Sequence, residues 1–142
     1  MLVLDTDHLS LLERGEGLLA DRLRLRLDAS PLPKATTIVT YEEQCRGWLA
    51  YVARAQSHVD QIDAYFKLWR HLETYRKPAV TVLQYEAVAA AEYQRFRKSK
   101  ISVGPMDLKI AAIVLAHDAT LLSRNLKDFE QVPGLKVENW LD

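Results

Sequence analysis

A chain of 142 residues, 49% of them hydrophobic, is long enough to bury one substantial core and too short for two comfortable domains. Its 19 basic and 19 acidic side chains cancel, so no global field draws it to nucleic acid or to an anionic membrane, and any such contact must come from a local patch. Cys45 is the only cysteine, which excludes an internal disulfide and a multi-cysteine zinc site; with no basic leader and no long apolar run, a single cytoplasmic domain over residues 1–142, without a membrane segment, is expected.

Met1 to Leu4 is apolar and stops at Asp5, the pattern of a short buried strand. The segment "LRLRLD", Leu23 to Asp28, alternates like a strand, but Leu19, Leu23 and Leu27 also recur at helical spacing among good helix formers, which favours a helix. "ATTIVT", Ala35 to Thr40, is β-branched and follows the breaker "SPLPK", so it predicts a second strand. In the aromatic segment 57–76 the residues Val59, Ile62, Phe66, Trp69 and Leu72 recur at spacings of three and four. They predict one apolar helix face packed on the core, with a groove for a partner helix or a dimer face as the second reading.

"AVTVL", Ala79 to Leu83, predicts a third strand. Helices follow in "LQYEAVAAAEYQRFRK" and in "PMDLKIAAIVLAHD", where Pro105 suits a first helical turn. "ATLLS", Ala119 to Ser123, and "LKVEN", Leu135 to Asn139, predict the last two strands. Strands alternating with helices imply an α/β fold, a mainly parallel sheet of about five short strands flanked by helices on both faces.

Ligand sites in open α/β sheets gather at the carboxyl ends of strands, and acids recur there. Asp5 and Asp7 follow the first strand, Glu42 and Glu43 the second, Asp107 opens a late helix, and Asn125 and Asp128 follow the fourth strand. Each has an ordinary alternative. Asp7 suits a helix N-cap, Glu42 and Asp107 suit first helical turns, and Asp128 suits an exposed loop. As a set, oxygen ligands without paired His or Cys point to magnesium or manganese, and such ions serve phosphodiester hydrolysis.

In order, "VLDTDHLSLL", "TIVTYEEQCRG" and "GPMDLKIAAIVLAHDATLLSRNLKDFEQVPGLKVENW" resemble the acid-bearing segments of PIN-domain nucleases, most closely VapC-type toxins of toxin–antitoxin pairs. The resemblance implies a PIN-like domain and a magnesium- or manganese-dependent endoribonuclease, restrained by a cognate antitoxin and commonly a homodimer. It assigns catalysis and metal binding to Asp5, Glu43, Asp107 and Asp128, with Asn125, Ser123 and Asp7 in support. Asp7 stands where many relatives carry Asn, Gln44 where Leu is usual, and Ser123 where Thr is frequent.

Holding an RNA backbone requires cations, and Arg46, Lys109 and Arg124 lie nearest the acids in sequence. The run Arg95, Arg97, Lys98, Lys100 reads first as a solvated helix end. Of the histidines, only His8 lies beside the acids. Two other classes compete. A haloacid-dehalogenase-like phosphatase would use Asp5 as nucleophile and Asp7 as acid/base, but Leu9 follows His8 where a small β-branched residue is expected. A non-catalytic interaction module would keep the fold without needing the acids.

Overall fold

The computed structural model, which describes Met1–Asp142, places the apolar start of the chain at the centre of a sheet. Leu2–Leu4 is strand β1, and all three residues are buried. Beside it run β2 (Lys34–Thr37) and β4 (Thr120–Leu122); β3 (Thr81–Leu83) lies outside β2 and β5 (Lys136–Glu138) outside β4. Every pairing is parallel. The helices are α1 (Thr6–Arg14), α2 (Leu18–Ala29), α3 (Ile38–Arg54), α4 (His58–Arg76), α5 (Ala87–Lys98), α6 (Pro105–Ala116) and the single turn α7 (Leu126–Phe129). The α/β expectation is met, and no helix is long and apolar enough to cross a membrane.

Side-chain alternation along the strands splits the core in two. Val3, Ala35 and Leu121 join α5 and α6 on one face, including Phe96, Ile110 and Ile113. Leu2, Leu4 and Leu122 point the other way and pack with Leu9 of α1 and with Leu23 and Leu27 of α2. Helix α6 buries Leu108, Ile110, Ala111, Ala112, Ile113 and Val114, so it is covered around most of its circumference. Full burial of each larger aliphatic side chain contributes about 1.5–3 kcal/mol. "LRLRLD" is helical, with Ala20, Leu23 and Leu27 buried.

Two expectations are corrected. The second strand ends at Thr37 instead of continuing to Thr40, because the Thr37 hydroxyl accepts the Thr40 amide hydrogen at 3.0 Å and caps α3. Glu43 therefore projects from within a helix, not from a loop after the strand. The α4 stripe is not core: Val59 is 75% exposed, Ile62 73%, Phe66 53%, Trp69 57% and Leu72 45%.

The face that α4 turns inward is instead polar and aromatic. Ala64 and His71 are buried there, and the Asp63 carboxylate accepts from the Tyr51 hydroxyl at 2.7 Å. The Tyr75 hydroxyl donates to the Tyr41 carbonyl at 2.8 Å, with the two rings 4.5 Å apart. The hydrophobic period of α4 thus marks its outer side.

Leu121→Ala should cost about 2–5 kcal/mol, the range for a buried leucine truncation, whereas Phe66→Ser on α4 should stay within about 0.5 kcal/mol. Urea unfolding midpoints at unchanged slope test both, and a large loss in Phe66→Ser would mean that α4 is seated the other way round.

Candidate active site

Strand order reverses beside β1: the chain builds outward through β2 and β3, then returns to add β4 and β5 on the opposite side. The crevice at the carboxyl ends of β1 and β4 is therefore a topological switch point, where loops diverge and leave room for a ligand. A cleft of about 230 Å³ opens there, lined by Asp5, Thr6, Asp7, Glu43, Asp107, Ile110, Asn125 and Phe129. Three acids separated by many residues of sequence reach it from the end of β1, the second turn of α3 and the first turn of α6.

Asp5 is held on several sides. Its amide donates to the Leu122 carbonyl on β4 at 3.1 Å. One carboxylate oxygen, Oδ1, accepts the backbone amide of His8 at 3.0 Å, making Asp5 the N-cap of α1. The same oxygen lies 3.0 Å from Nδ1 of His8, whose ring is fully buried. On its far side, Nε2 of His8 accepts the Trp140 amide hydrogen at 3.3 Å. An accepting nitrogen carries no proton, so the ring proton sits on Nδ1 and is donated to Asp5.

The expectation that Asp7 caps α1 is therefore corrected. The chain leaves β1 extended for two residues fewer than that reading required, and Asp7 occupies the exposed first turn. Glu42, likewise, is past the first turn of α3 and pairs with Arg46 at 2.6 Å.

Glu43 sits where its charge is poorly tolerated. Burial holds its carboxyl above the usual range, opposed by a hydrogen bond from Thr6; the charges of Asp107, Asp5 and Glu42 push it further up. The Thr6 hydroxyl donates to Oε2 at 3.1 Å, while Oε1 is buried without any hydrogen-bond partner. Asp107 is also raised, first by burial and then by Asp128 and Asp5. Asp128 is thus close enough to act on Asp107, although it stays outside the cleft lining and accepts from Asn125 Nδ2 at 3.0 Å.

No three His, Cys, Asp or Glu side chains form a ready-made metal-ligand group. The chemistry of the donors nonetheless fits a hard divalent cation. Facing carboxylates raise one another's pKa, and the Glu43 oxygen lacks a donor that protein neighbours normally provide.

The supporting residues shape the rim. Ser123 is buried, and its hydroxyl accepts the Asn125 amide at 3.0 Å, so it sets the turn after β4. Among the proposed RNA contacts, Arg124 pairs with Asp142 at 3.3 Å and Lys109 stands over the Tyr93 ring at 5.5 Å. Arg95, Arg97 and Lys98 occupy the last turn of α5, as expected of a capped helix end. Sequence reasoning missed Thr6 and Trp140 altogether. Only the hydroxyl next to Asp5 was a signal for the first, and nothing local announced the second.

Both raised carboxyls bind protons more tightly folded than unfolded, so their linkage favours the fold below the unfolded carboxylate range of about 4. That contribution is lost as pH rises through their folded values. Glu43→Gln and Asp107→Asn should accordingly raise the melting temperature at pH 7 in EDTA, and the gain should shrink toward pH 4. A pH series of thermal scans measures it; lower melting temperatures at pH 7 would mean that the carboxylates stabilise the fold. His8→Phe keeps the ring volume but strands the Trp140 amide, at a cost of about 1–3 kcal/mol, readable by denaturant titration; an unchanged midpoint would mean that the His8 bonds contribute nothing to the fold.

No family model matches the chain. It is similar to Ribonuclease VapC2 of Rickettsia felis, 45% identical over 38 residues, covering 27% of this chain and 28% of that protein. It is also similar to Ribonuclease VapC1 of the same organism, 34% identical over 67 residues, 44% of this chain and 50% of the relative. The chain thus spans half or less of the length of the curated relatives it matches. Among solved structures, VapBC2 from Rickettsia felis bound to a promoter DNA fragment superposes with TM-score 0.71 at 21% identity, covering 98% of both chains. FitAcB from Neisseria gonorrhoeae gives TM-score 0.71 at 23% identity, covering 99% of this chain and 98% of the other. Likeness at these identities establishes architecture: the chain shares the α/β fold of these structures, a five-stranded parallel sheet flanked by helices.

Proposed function

We propose that the chain is a VapC-like endoribonuclease, the toxin of a toxin–antitoxin pair, which hydrolyses RNA phosphodiester bonds with magnesium or manganese. The observation that carries this reading is the convergence of Asp5, Glu43 and Asp107 on one cleft at the switch point, with one Glu43 oxygen buried and unpartnered. Similarity to proteins named ribonucleases supports the chemistry.

Asp5, Glu43 and Asp107 would hold the cation, and Asp128, acting on Asp107, would complete its surroundings. Such an ion acidifies bound water and offsets charge on a phosphodiester. The chain's own residues fix the frame: His8 and the α1 amide orient Asp5, Thr6 orients Glu43, and Asn125 restrains Asp128.

An antitoxin would find an apolar landing on the outer side of α4, where Ile62, Phe66 and Trp69 are exposed. An apolar helix-in-groove contact covers such a face. Support comes from the solved structures of similar fold, which include VapBC complexes and a toxin–antitoxin complex from Klebsiella pneumoniae. Pairing as a homodimer in the cytoplasm completes the proposal.

Purified protein should cut a mixed panel of structured RNAs with magnesium or manganese and lose that activity in EDTA. Asp5→Asn and Asp107→Asn should each lose more than about a hundredfold, beyond the range of losses at outer-shell positions, and Asp107→Asn should also abolish growth inhibition while retaining antitoxin binding. Cutting that survives either substitution would overturn the site assignment. A phosphorylated Asp5, detected by mass spectrometry during turnover of a phosphate ester, would favour the phosphatase class.

A further inference from the structure

The acid cleft is the first of three along α1. Asp7 lines it and also lines a neighbouring cleft of about 310 Å³ with Ser10, Leu11, Arg14 and Arg124. Arg14 in turn lines a third, of about 420 Å³, with Glu16, Trp48, Lys67 and Arg70. Asp7, Leu11 and Arg14 are spaced as i, i+4 and i+7, so one helix face carries the whole path.

The third cleft is basic and aromatic. The Arg14 guanidinium stands over the Trp48 ring at 4.8 Å, and the Trp48 and Tyr51 rings meet edge to face at 5.7 Å. Lys67 is paired with Asp63 at 3.1 Å, but neither Arg14 nor Arg70 belongs to an ion pair. Glu16 is the one acid in the lining, and Glu13 acts on Arg14 from the same helix. Arg14 and Arg70, neither of them in an ion pair, repel one another across the cavity, which an anion would relieve. Trp48 is half-buried, and cations beside an aromatic surface that is partly open are also what single-stranded nucleic acid binds, its phosphates on the charges and its bases stacked on aromatic or guanidinium planes.

We propose that the cleft of Arg14, Trp48, Lys67 and Arg70 is a subsite for single-stranded RNA, where a base stacks on the Arg14–Trp48 pair and Arg14 and Arg70 hold adjoining phosphates. The inference rests on the nuclease reading and adds to it a path for the substrate. Asp7 and Arg14 are seven residues apart, about 10 Å along a helix, or about three stacked nucleotides at 3.4 Å each. The subsite therefore grips the strand some three nucleotides from the acids.

The test is binding in EDTA, where cleavage does not intervene, of a fluorescein-labelled ten-nucleotide RNA of randomised sequence, followed by anisotropy across a salt series. Arg70→Gln removes one phosphate contact from an exposed position. It should weaken binding about fivefold at 0.1 M salt and flatten the slope of log K against log salt by about 0.7. Trp48→Leu should weaken binding about tenfold through lost stacking, with circular dichroism verifying the fold of both. No RNA binding by the wild type, or affinities and slopes unchanged in both variants, overturns the subsite. Unchanged RNA binding together with lost binding of a labelled ten-residue oligoglutamate also overturns it and makes the cleft a protein-docking site. Wild-type protein that binds RNA as described but cuts none with magnesium or manganese would count against the nuclease reading and leave the subsite standing.

Discussion

The burial of β1 on both faces dictates where polarity can enter this molecule. Leu2, Val3 and Leu4 have core on either side and a hydrogen-bonded strand on either edge, so the first residue able to carry a charge is the one leaving the sheet. That residue is Asp5. Because the strand order reverses beside β1, it emerges into a crevice instead of beneath a covering helix. The remaining acids are delivered to the same crevice by α3 and α6, whose starts are fixed by Thr37 and by Pro105.

What is gathered there opposes the fold that gathers it. Half-buried carboxyls that repel one another reduce stability wherever both are ionised, and the extensive apolar packing of α6 is what keeps Asp107 in place despite this. Gln44 ties α3 to α1 beside the site: it is buried, its amide donates to the Ser10 hydroxyl at 3.0 Å, and its Oε1 is left without a partner. A residue that departs from the usual leucine at this point thus exchanges an apolar contact for a polar tie between the two helices that carry Asp7 and Glu43. An arrangement that costs stability in this way belongs to function more than to stability.

The sequence made the architecture legible because short β-branched runs and breakers alternate with helical periods, and it made Asp5, Glu43 and Asp107 legible because they recur near strand ends. It failed where two local signals compete. Thr37-Ile38-Val39-Thr40 has strand composition, yet a threonine hydroxyl three residues before an amide is also a helix cap, and the cap won. In α4 a regular apolar stripe was indistinguishable from a buried one, since periodicity reports that a helix has an apolar side without reporting what covers it. The inward side is held by tyrosine hydroxyls and a histidine, residues whose burial depends on partners in α3. The tie between His8 and Trp140 spans 132 residues of sequence, and no local pattern can encode it.

That long span also governs when the site comes into being. Asp5 lies far in sequence from the strand that walls its crevice: the wall is complete only when Thr120–Leu122 pairs with β1, and His8 is locked only when the Trp140 amide reaches it. Contacts so distant in sequence form late, after their loop-closure entropy has been met. A chain that lacks these last contacts therefore carries the acids without the pocket that concentrates them.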